Sequence, residues 1–242
     1  MAILAGVGPM GLAAITYAIH RKEIQPGLLV VTDIDQTRLD RAAMLYTAEE
    51  AAKNNIKLVY LNTKDTVDPE AELMKLTDGK GYDDVFVFAP VPMLIEQADH
   101  ILAQDGCLNF FAGPSDPDFS AKFNFYKVHY QFTHIVGTSG GNNNDMREAL
   151  KYFNMGLDPA GLVTHIGGIN AVINTTLNLP NIPGGKKLIY NHLEMPLTPI
   201  TEFEKIGESN PVYAKLDEIC KRHKGLWSVE AEQYLLENAD KV

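Results

Sequence analysis

A three-glycine loop, Gly6-Val7-Gly8-Pro9-Met10-Gly11, follows the apolar run Ala2–Ala5 and opens a segment where Leu12, Ile15, Ala18 and Ile19 share one helical stripe. A buried strand that turns so abruptly into a helix needs partner strands on both sides, and the chain goes on to supply them. Strand-like runs recur at Leu28–Asp33, Ile56–Thr63, Asp83–Pro90, Cys107–Gly113 and His134–Gly141. Helical patterns separate them, one from Gln36 and a second from Thr47, where Thr47 and Glu50 have capping-box spacing. A third runs from Asp68-Pro69 to about Asp78-Gly79, a fourth spans Met93–Gln104 closed by Asp105-Gly106, and a last lies near Asp145–Met155. Near-continuous apolar strands joined by helical crossovers predict a parallel sheet covered on both faces.

A G-x-G-x-x-G spacing carries little alone; between a strand and a helix it has a physical reading. Gly6 permits the tight turn, Gly8 lets a pyrophosphate approach the backbone, and Gly11 lets helix and strand pack closely. The free N–H groups at the helix start, around Pro9 and Met10, then face the phosphates. Asp33 ends the second strand 22 residues after Gly11, placed to accept hydrogen bonds from the adenosine ribose. A carboxylate there repels a 2′-phosphate, so NAD(H) is expected over NADP(H). Asp35 is the rival acid, and reads as a helix cap. Two other readings of the loop stay open: a plain tight turn, and an adenosyl cofactor as in methyltransferases. The expected fold class is thus α/β, a doubly wound six-stranded parallel sheet of the NAD(P)-binding Rossmann type with a C-terminal helical extension. The dinucleotide-binding domain is expected over residues 1–160, with the remainder at 161–242.

The chain of 242 residues carries a net charge of −10, which argues against a nucleic-acid or anionic-membrane surface. Its strongest basic cluster, Lys221-Arg222-His223-Lys224, suits a solvated helix C-terminus. Two distant cysteines, Cys107 and Cys220, predict neither a disulfide framework nor a thiolate metal site, and a cytoplasmic location is expected. No apolar run approaches the roughly 20 residues that span a bilayer.

The ordered succession "AGVGPMGLAAI", "VVTDIDQTRLDRA", "GTSGG…DMREALKYF", "GLVTHI" and "PGGKKLIY" resembles the cofactor-binding half of medium-chain, zinc-type alcohol and polyol dehydrogenases, over residues 1 to about 190. The phrase "INAVINTTLNLPNIPGGKKLIY", the longer spacing to Asp33 and the extra tail resemble the L-sorbose-1-phosphate reductase branch. The resemblance implies hydride transfer between a secondary alcohol or ketone of a polyol or sugar phosphate and a nicotinamide dinucleotide. It matches Asp33 to the ribose-binding acid and Arg38 to a basic position along the same ribose. Ala89, Pro90 and Val91 match a segment under the adenine and the nicotinamide-side ribose. Gly113 and Pro114 match backbone contacts near the nicotinamide, and Thr138 and Ser139 a segment at the nicotinamide end and the dimer seam. It also makes residues 161–242 a return segment of the catalytic domain plus a helical tail.

In the resembled family a catalytic zinc polarises the substrate oxygen, and its ligands precede the glycine loop. Zinc is therefore expected only in a full-length relative and not in this chain, whose seven histidines show no HxxxH pair. His165, in "VTHI", reads as a structural histidine. Tyr60 and Lys64 have the Y-x-x-x-K spacing of short-chain reductases but fall on a strand, where positions four apart do not meet. No catalytic residue is expected, and the chain is read as a cofactor-binding fragment, from a lost first domain or an internal start at Met1. A non-catalytic nucleotide-binding or dimerisation module and a zinc-free reductase remain alternatives. Helices are expected over Ser209–His223 and Ser228–Ala239, with Trp227 between them as an anchor. A homodimer through the sixth-strand edge is implied by the resemblance, and apolar surface is expected around Val163–Leu179.

Overall fold

The computed structural model describes residues 1–242. The chain divides into two units, Met1–Leu157 and Asp158–Val242.

In the first unit, β1 (Ala2–Leu4) is only three residues long and wholly buried. Its apolar side chains fit one place, the middle of a sheet covered on both faces. β2 (Leu28–Asp33) and β4 (Tyr82–Val87) flank it, β3 (Lys57–Asn62) lies outside β2, and β5 (Leu102–Phe110) and β6 (His134–Gly137) continue beyond β4. The order is β3-β2-β1-β4-β5-β6 and every pairing is parallel. The chain winds one way from β1 to β3 and the other way from β4 to β6, so the topological switch lies between β1 and β4. Register holds the strand ends level: Leu4 faces Val87, Val87 faces Phe110, and Phe110 faces Gly137.

The crossovers are α1 (Pro9–His20), α2 (Gln36–Leu45), α3 (Ala48–Ala52), α4 (Pro69–Lys75), α5 (Pro92–His100), α6 (Phe125–Tyr130) and α7 (Asn143–Phe153). α1 buries Leu12, Ile15, Ala18 and Ile19, the stripe read from the sequence. Asp35, Thr47, Asp68, Asn124 and Asn142 cap α2, α3, α4, α6 and α7 through their side chains. One core cluster packs Leu4, Val30, Leu73, Tyr82, Val85 and Leu108.

The structure corrects the stretch around residue 105. The helix expected over Met93–Gln104 stops at His100, and β5 begins at Leu102, five residues before the expected Cys107. Asp105-Gly106 does not close a helix; it forms an irregularity inside β5, where register jumps from Tyr82–Leu102 to Asp84–Cys107. Asp105 has φ 60° and its N–H donates to the Gln131 carbonyl at 2.7 Å. A Cβ on Gly106 would meet the Ala103 and Tyr82 carbonyls at 2.9 Å, so only glycine fits. β6 is also shorter than expected, ending at Gly137 rather than Gly141, and α6 was not foreseen.

The second unit, expected only as a return segment with a helical tail, holds a sheet of three strands in the order β8-β7-β9. β7 (Val163–Gly168) pairs in parallel with β8 (Lys186–Tyr190) across α8 (Val172–Asn178), and antiparallel with β9 (Thr198–Pro199). The helices α9 (Phe203–Gly207), α10 (Pro211–Arg222) and α11 (Val229–Asn238) complete it. Their core gathers Ile166, Leu193, Phe203, Tyr213, Leu216, Ile219, Cys220, Trp227 and Leu235. Trp227 is buried, and its Nε1–H donates to the Tyr190 hydroxyl at 3.0 Å. The basic cluster forms a solvated ion network: Lys221 pairs with Glu204 and Asp217, Arg222 and His223 with Glu230.

No helix of the structure is long and apolar enough to cross a membrane.

Candidate cofactor crevice

The parallel sheet sends every loop after a strand to the same end, so the residues singled out in the sequence converge there. The chain leaves β1 through Ala5, at φ 51°, and Gly6, whose N–H donates to the Thr32 carbonyl of β2 at 2.8 Å. Gly6 is packed against Ile3 and Val31, whose side-chain carbons lie 2.7 and 2.8 Å from where a Cβ would sit. Gly11 is tighter still, because a Cβ there would overlap the Gly6 carbonyl. Gly8 is the opposite case: nothing lies within 4 Å of its would-be Cβ. Two glycines thus close the strand–helix turn, and the third leaves open space above it.

That space faces the start of α1. Gly8 is the N-cap, Pro9 the first helical residue, and no side chain caps the helix. Pro9 has no N–H, and the opening amides of Met10 and Gly11 find no partner inside the helix. α5 also begins at this end, with Val91 as N-cap, Pro92 after it and no capping side chain. In the first unit these are the two helices without side-chain caps, and both open on the crevice between β1 and β4. Partial positive charge from two helix starts therefore meets there, the arrangement that suits a pyrophosphate.

Asp33 lies at the end of β2, buried to 9% exposure. Its Oδ1 accepts the N–H groups of Ile34 (2.9 Å) and Asp35 (3.1 Å), and its Oδ2 that of Val7 (3.4 Å). The carboxylate therefore braces the glycine loop from below, a role that strand-end position alone did not reveal. Asp35 caps α2: its Oδ1 accepts the Arg38 N–H at 3.1 Å, and its Oδ2 lies 3.5 Å from Arg38 Nε. Ala89, Pro90 and Val91 follow β4, Gly113 follows β5 at φ 58°, and Thr138 follows β6, all at the same end of the sheet. Phe88 and Phe111, each one residue past its strand, stack edge to face with centroids 6.1 Å apart on this rim. Neither was singled out in the sequence, where both read as strand.

The other sequence candidates stay apart from the crevice. The Tyr60 hydroxyl donates to the Tyr46 and Ala42 carbonyls at 2.9 and 3.2 Å, and burial raises its pKa, so it serves as a strap between β3 and α2. In the second unit, His165 is buried with Nδ1 2.9 Å from the Thr164 hydroxyl, and burial, then Lys187, holds its pKa below the ordinary value. It lines a cleft of about 610 Å³ with Asn170, Asn174 and Thr175. A cavity of about 590 Å³ lies at the far end of the six-stranded sheet, walled by Tyr17, Arg21 and Asp84. His20, His100, His134 and His223 each face one carboxylate, Glu50, Glu70, Asp105 and Glu230 respectively. No three His, Cys, Asp or Glu side chains assemble where they could hold a metal ion, so the residues present do not fit a zinc centre.

Comparison with known proteins gives this geometry its context. The family profile described as zinc-binding dehydrogenase matches residues 9–154. The chain is 48% identical over 241 residues to a mannitol-1-phosphate 5-dehydrogenase of Aliivibrio fischeri, covering 99% of this chain and 57% of that protein. It is 48% identical over 241 residues to an L-sorbose 1-phosphate reductase of Klebsiella pneumoniae, covering 99% and 55%. An uncharacterized protein of Escherichia coli K12, YggP, is 52% identical over 237 residues, covering 98% and 56%. The chain thus spans about half the length of the curated relatives it matches. The solved 2R,3R-butanediol dehydrogenase of Bacillus subtilis shares the fold with a TM-score of 0.61 at 20% identity, over 78% of this chain and 50% of that one. A family match that runs from Pro9 through β2 and the crevice rim, over more than half of the chain, shows that this chain belongs to the zinc-binding dehydrogenase family.

Proposed function

We propose that the crevice binds NAD(H), and that the chain is the cofactor-holding portion of a dehydrogenase acting on a polyol or sugar phosphate. The carrying observation is the pairing of an open Gly8 over an uncapped helix start with a buried acid at the end of β2. When bound, the nicotinamide supplies or accepts the hydride exchanged with a secondary alcohol or ketone. The chain's own residues bind and orient it. The amides opening α1 hold the pyrophosphate, and Asp33 accepts from the adenosine ribose while bracing the loop. Arg38 lies along that ribose, and Ala89, Pro90, Val91, Gly113 and Thr138 line the path toward the nicotinamide. The Asp33 carboxylate disfavours a 2′-phosphate, which supports NAD(H) over NADP(H). The relatives named for mannitol 1-phosphate and L-sorbose 1-phosphate support the substrate class. A second copy of the chain is expected along β6, whose four residues are all exposed at the sheet edge.

Calorimetric titration with NADH tests the binding claim. Asp33→Ala should weaken NADH by about 2 kcal/mol, roughly thirtyfold, as the loss of hydrogen bonds to a charged group implies. Equal affinity for the folded variant and the native chain would remove Asp33 from the site.

A further inference from the structure

We propose that the cleft lined by His165 in the second unit is a binding site for an uncharged polyhydroxylated ligand, a free polyol or monosaccharide. The cleft owes nothing to the dinucleotide crevice, because every residue lining it lies between His165 and Pro199. Its volume, about 610 Å³, falls in the range of small-molecule sites. A folded chain seldom buries a polar group without a partner, and two such groups border this cleft. They are His165 and Thr175, 6% and 8% exposed. The Gly185 N–H donates to the Thr164 hydroxyl oxygen at 2.8 Å, and that oxygen lies 2.9 Å from His165 Nδ1. The hydroxyl's own hydrogen therefore goes to Nδ1, which fixes the imidazole as the tautomer with its proton on Nε2. Burial keeps the ring neutral. The Nε2–H then has no acceptor in the protein, and the Thr175 hydroxyl has no partner either.

One wall of the cleft extends the pattern. Asn170, just before α8, and Asn174 and Asn178 within it are four residues apart and line the cleft as one stripe. Asn170 Oδ1 accepts the Met195 N–H at 3.0 Å, which leaves its amide hydrogens unused. Asn178 Nδ2 donates to the Asn174 carbonyl at 2.9 Å, which leaves its Oδ1 unused. The Asn174 side chain bonds to no protein group. Donors, acceptors and groups that are both therefore stand side by side. Vicinal hydroxyls suit such a row, since each gives one hydrogen bond and takes others. Pro183, Pro196 and Leu197 offer apolar surface to the carbon skeleton. No lining residue is Asp, Glu, Lys or Arg. Lys187, whose charge reaches His165, gives its ammonium hydrogens to the Ile182, Pro183 and Gly185 carbonyls. A phosphate or carboxylate placed in the cleft would lack a counterion, so the ligand is uncharged.

The test adds D-mannitol to the isotope-labelled full chain, without cofactor, and follows the imidazole and side-chain amide signals by NMR. The His165 ring and Asn174 amide signals should move saturably, with a dissociation constant of about 1–10 mM, as a few neutral hydrogen bonds imply. Thr175→Val keeps the shape and removes the hydroxyl, and Asn174→Ala trims an exposed side chain that bonds to nothing. Both variants should fold natively and each should weaken mannitol about fivefold. Mannitol 1-phosphate should bind at least about tenfold more weakly than mannitol. No saturable movement up to about 100 mM mannitol overturns the proposal. Movement that both variants leave unchanged overturns it too, as does a phosphate ester held as tightly as the free polyol. Because no cofactor is present, the outcome does not turn on whether the crevice binds NADH.

Discussion

Helix α1 begins at Gly8 with no side chain on its opening amides, whereas α10 and α11 of the second unit begin under Asn210 and Ser228, whose oxygens accept from Val212 and Ala231 at 3.0 and 3.2 Å. α8 and α9 also lack side-chain caps, so the contrast is between places in the molecule and not between whole units. At the crevice, the amides that open α1 are left without a side-chain partner. In the core of the second unit, polar groups close on one another. Trp227 donates to Tyr190, the Tyr190 hydroxyl donates to Glu232, and the Thr198 and Tyr213 hydroxyls lie 3.3 Å apart. A folded chain satisfies its polar groups wherever it can. An unsatisfied set held rigidly in place is therefore the better marker of a binding site, and the satisfied set marks where stability resides.

The contrast breaks or sharpens most visibly on stability. Trp227→Ala empties the core of the second unit and should cost about 3–5 kcal/mol there, while NADH affinity at the crevice changes less than about twofold. Gly11→Ala drives a methyl into the Gly6 carbonyl and should cost the first unit about 3 kcal/mol, with NADH binding lost alongside. Denaturant unfolding followed by far-UV circular dichroism, with NADH titration of each folded variant, checks both. A large loss of NADH affinity in Trp227→Ala would mean that the two units do not divide the work in this way.

A smaller effect separates the cysteines. Burial pushes the Cys220 thiol up to about 12, next to the further unfavourable field of Asp217. Cys107, half-buried on β5, is raised by burial and by Asp84. The sign is the same for both: the folded state holds the proton, so the thiolate is scarce at pH 8 and stability falls as pH rises through the unfolded value near 9. With a disulfide reagent at pH 8, Cys107 should react slowly and Cys220 only after unfolding. Fast labelling of Cys220 in the native protein would show that the second unit is looser than its packing implies.

Much of the first unit was legible because period and position agree there. The stripe of α1, the apolar run of β2 and the caps at Asp35, Thr47 and Asp68 are local signals, and each formed where it was read. The bulge in β5 was not legible, since Asp105-Gly106 is the same dipeptide that ends helices, and only the distant Gln131 carbonyl and the approach of Tyr82 decide its use. β7 was hidden for a related reason. Gly167 and Gly168 have no side chains to show a strand period, yet they sit in a strand, where Leu197 and the Leu193 carbonyl lie in the places side chains would take. The residues at this end of the sheet are placed there by strand order, but the bracing of the loop by Asp33 and the hold of Asp35 on Arg38 have no sequence signal. Both depend on where the turn after β2 places its amides.

The central claim is that the space above Gly8 is where a pyrophosphate lies. Gly8 has an ordinary φ of −74° and room for a side chain, so Gly8→Val should fold with native stability, to within about 0.5 kcal/mol. Titrating NADH into that variant is the most direct measurement. The account expects binding to weaken at least about a hundredfold, since the valine methyls would occupy the phosphate's place and about 2.7 kcal/mol would be lost; NADH bound by the folded variant as tightly as by the native chain would contradict it.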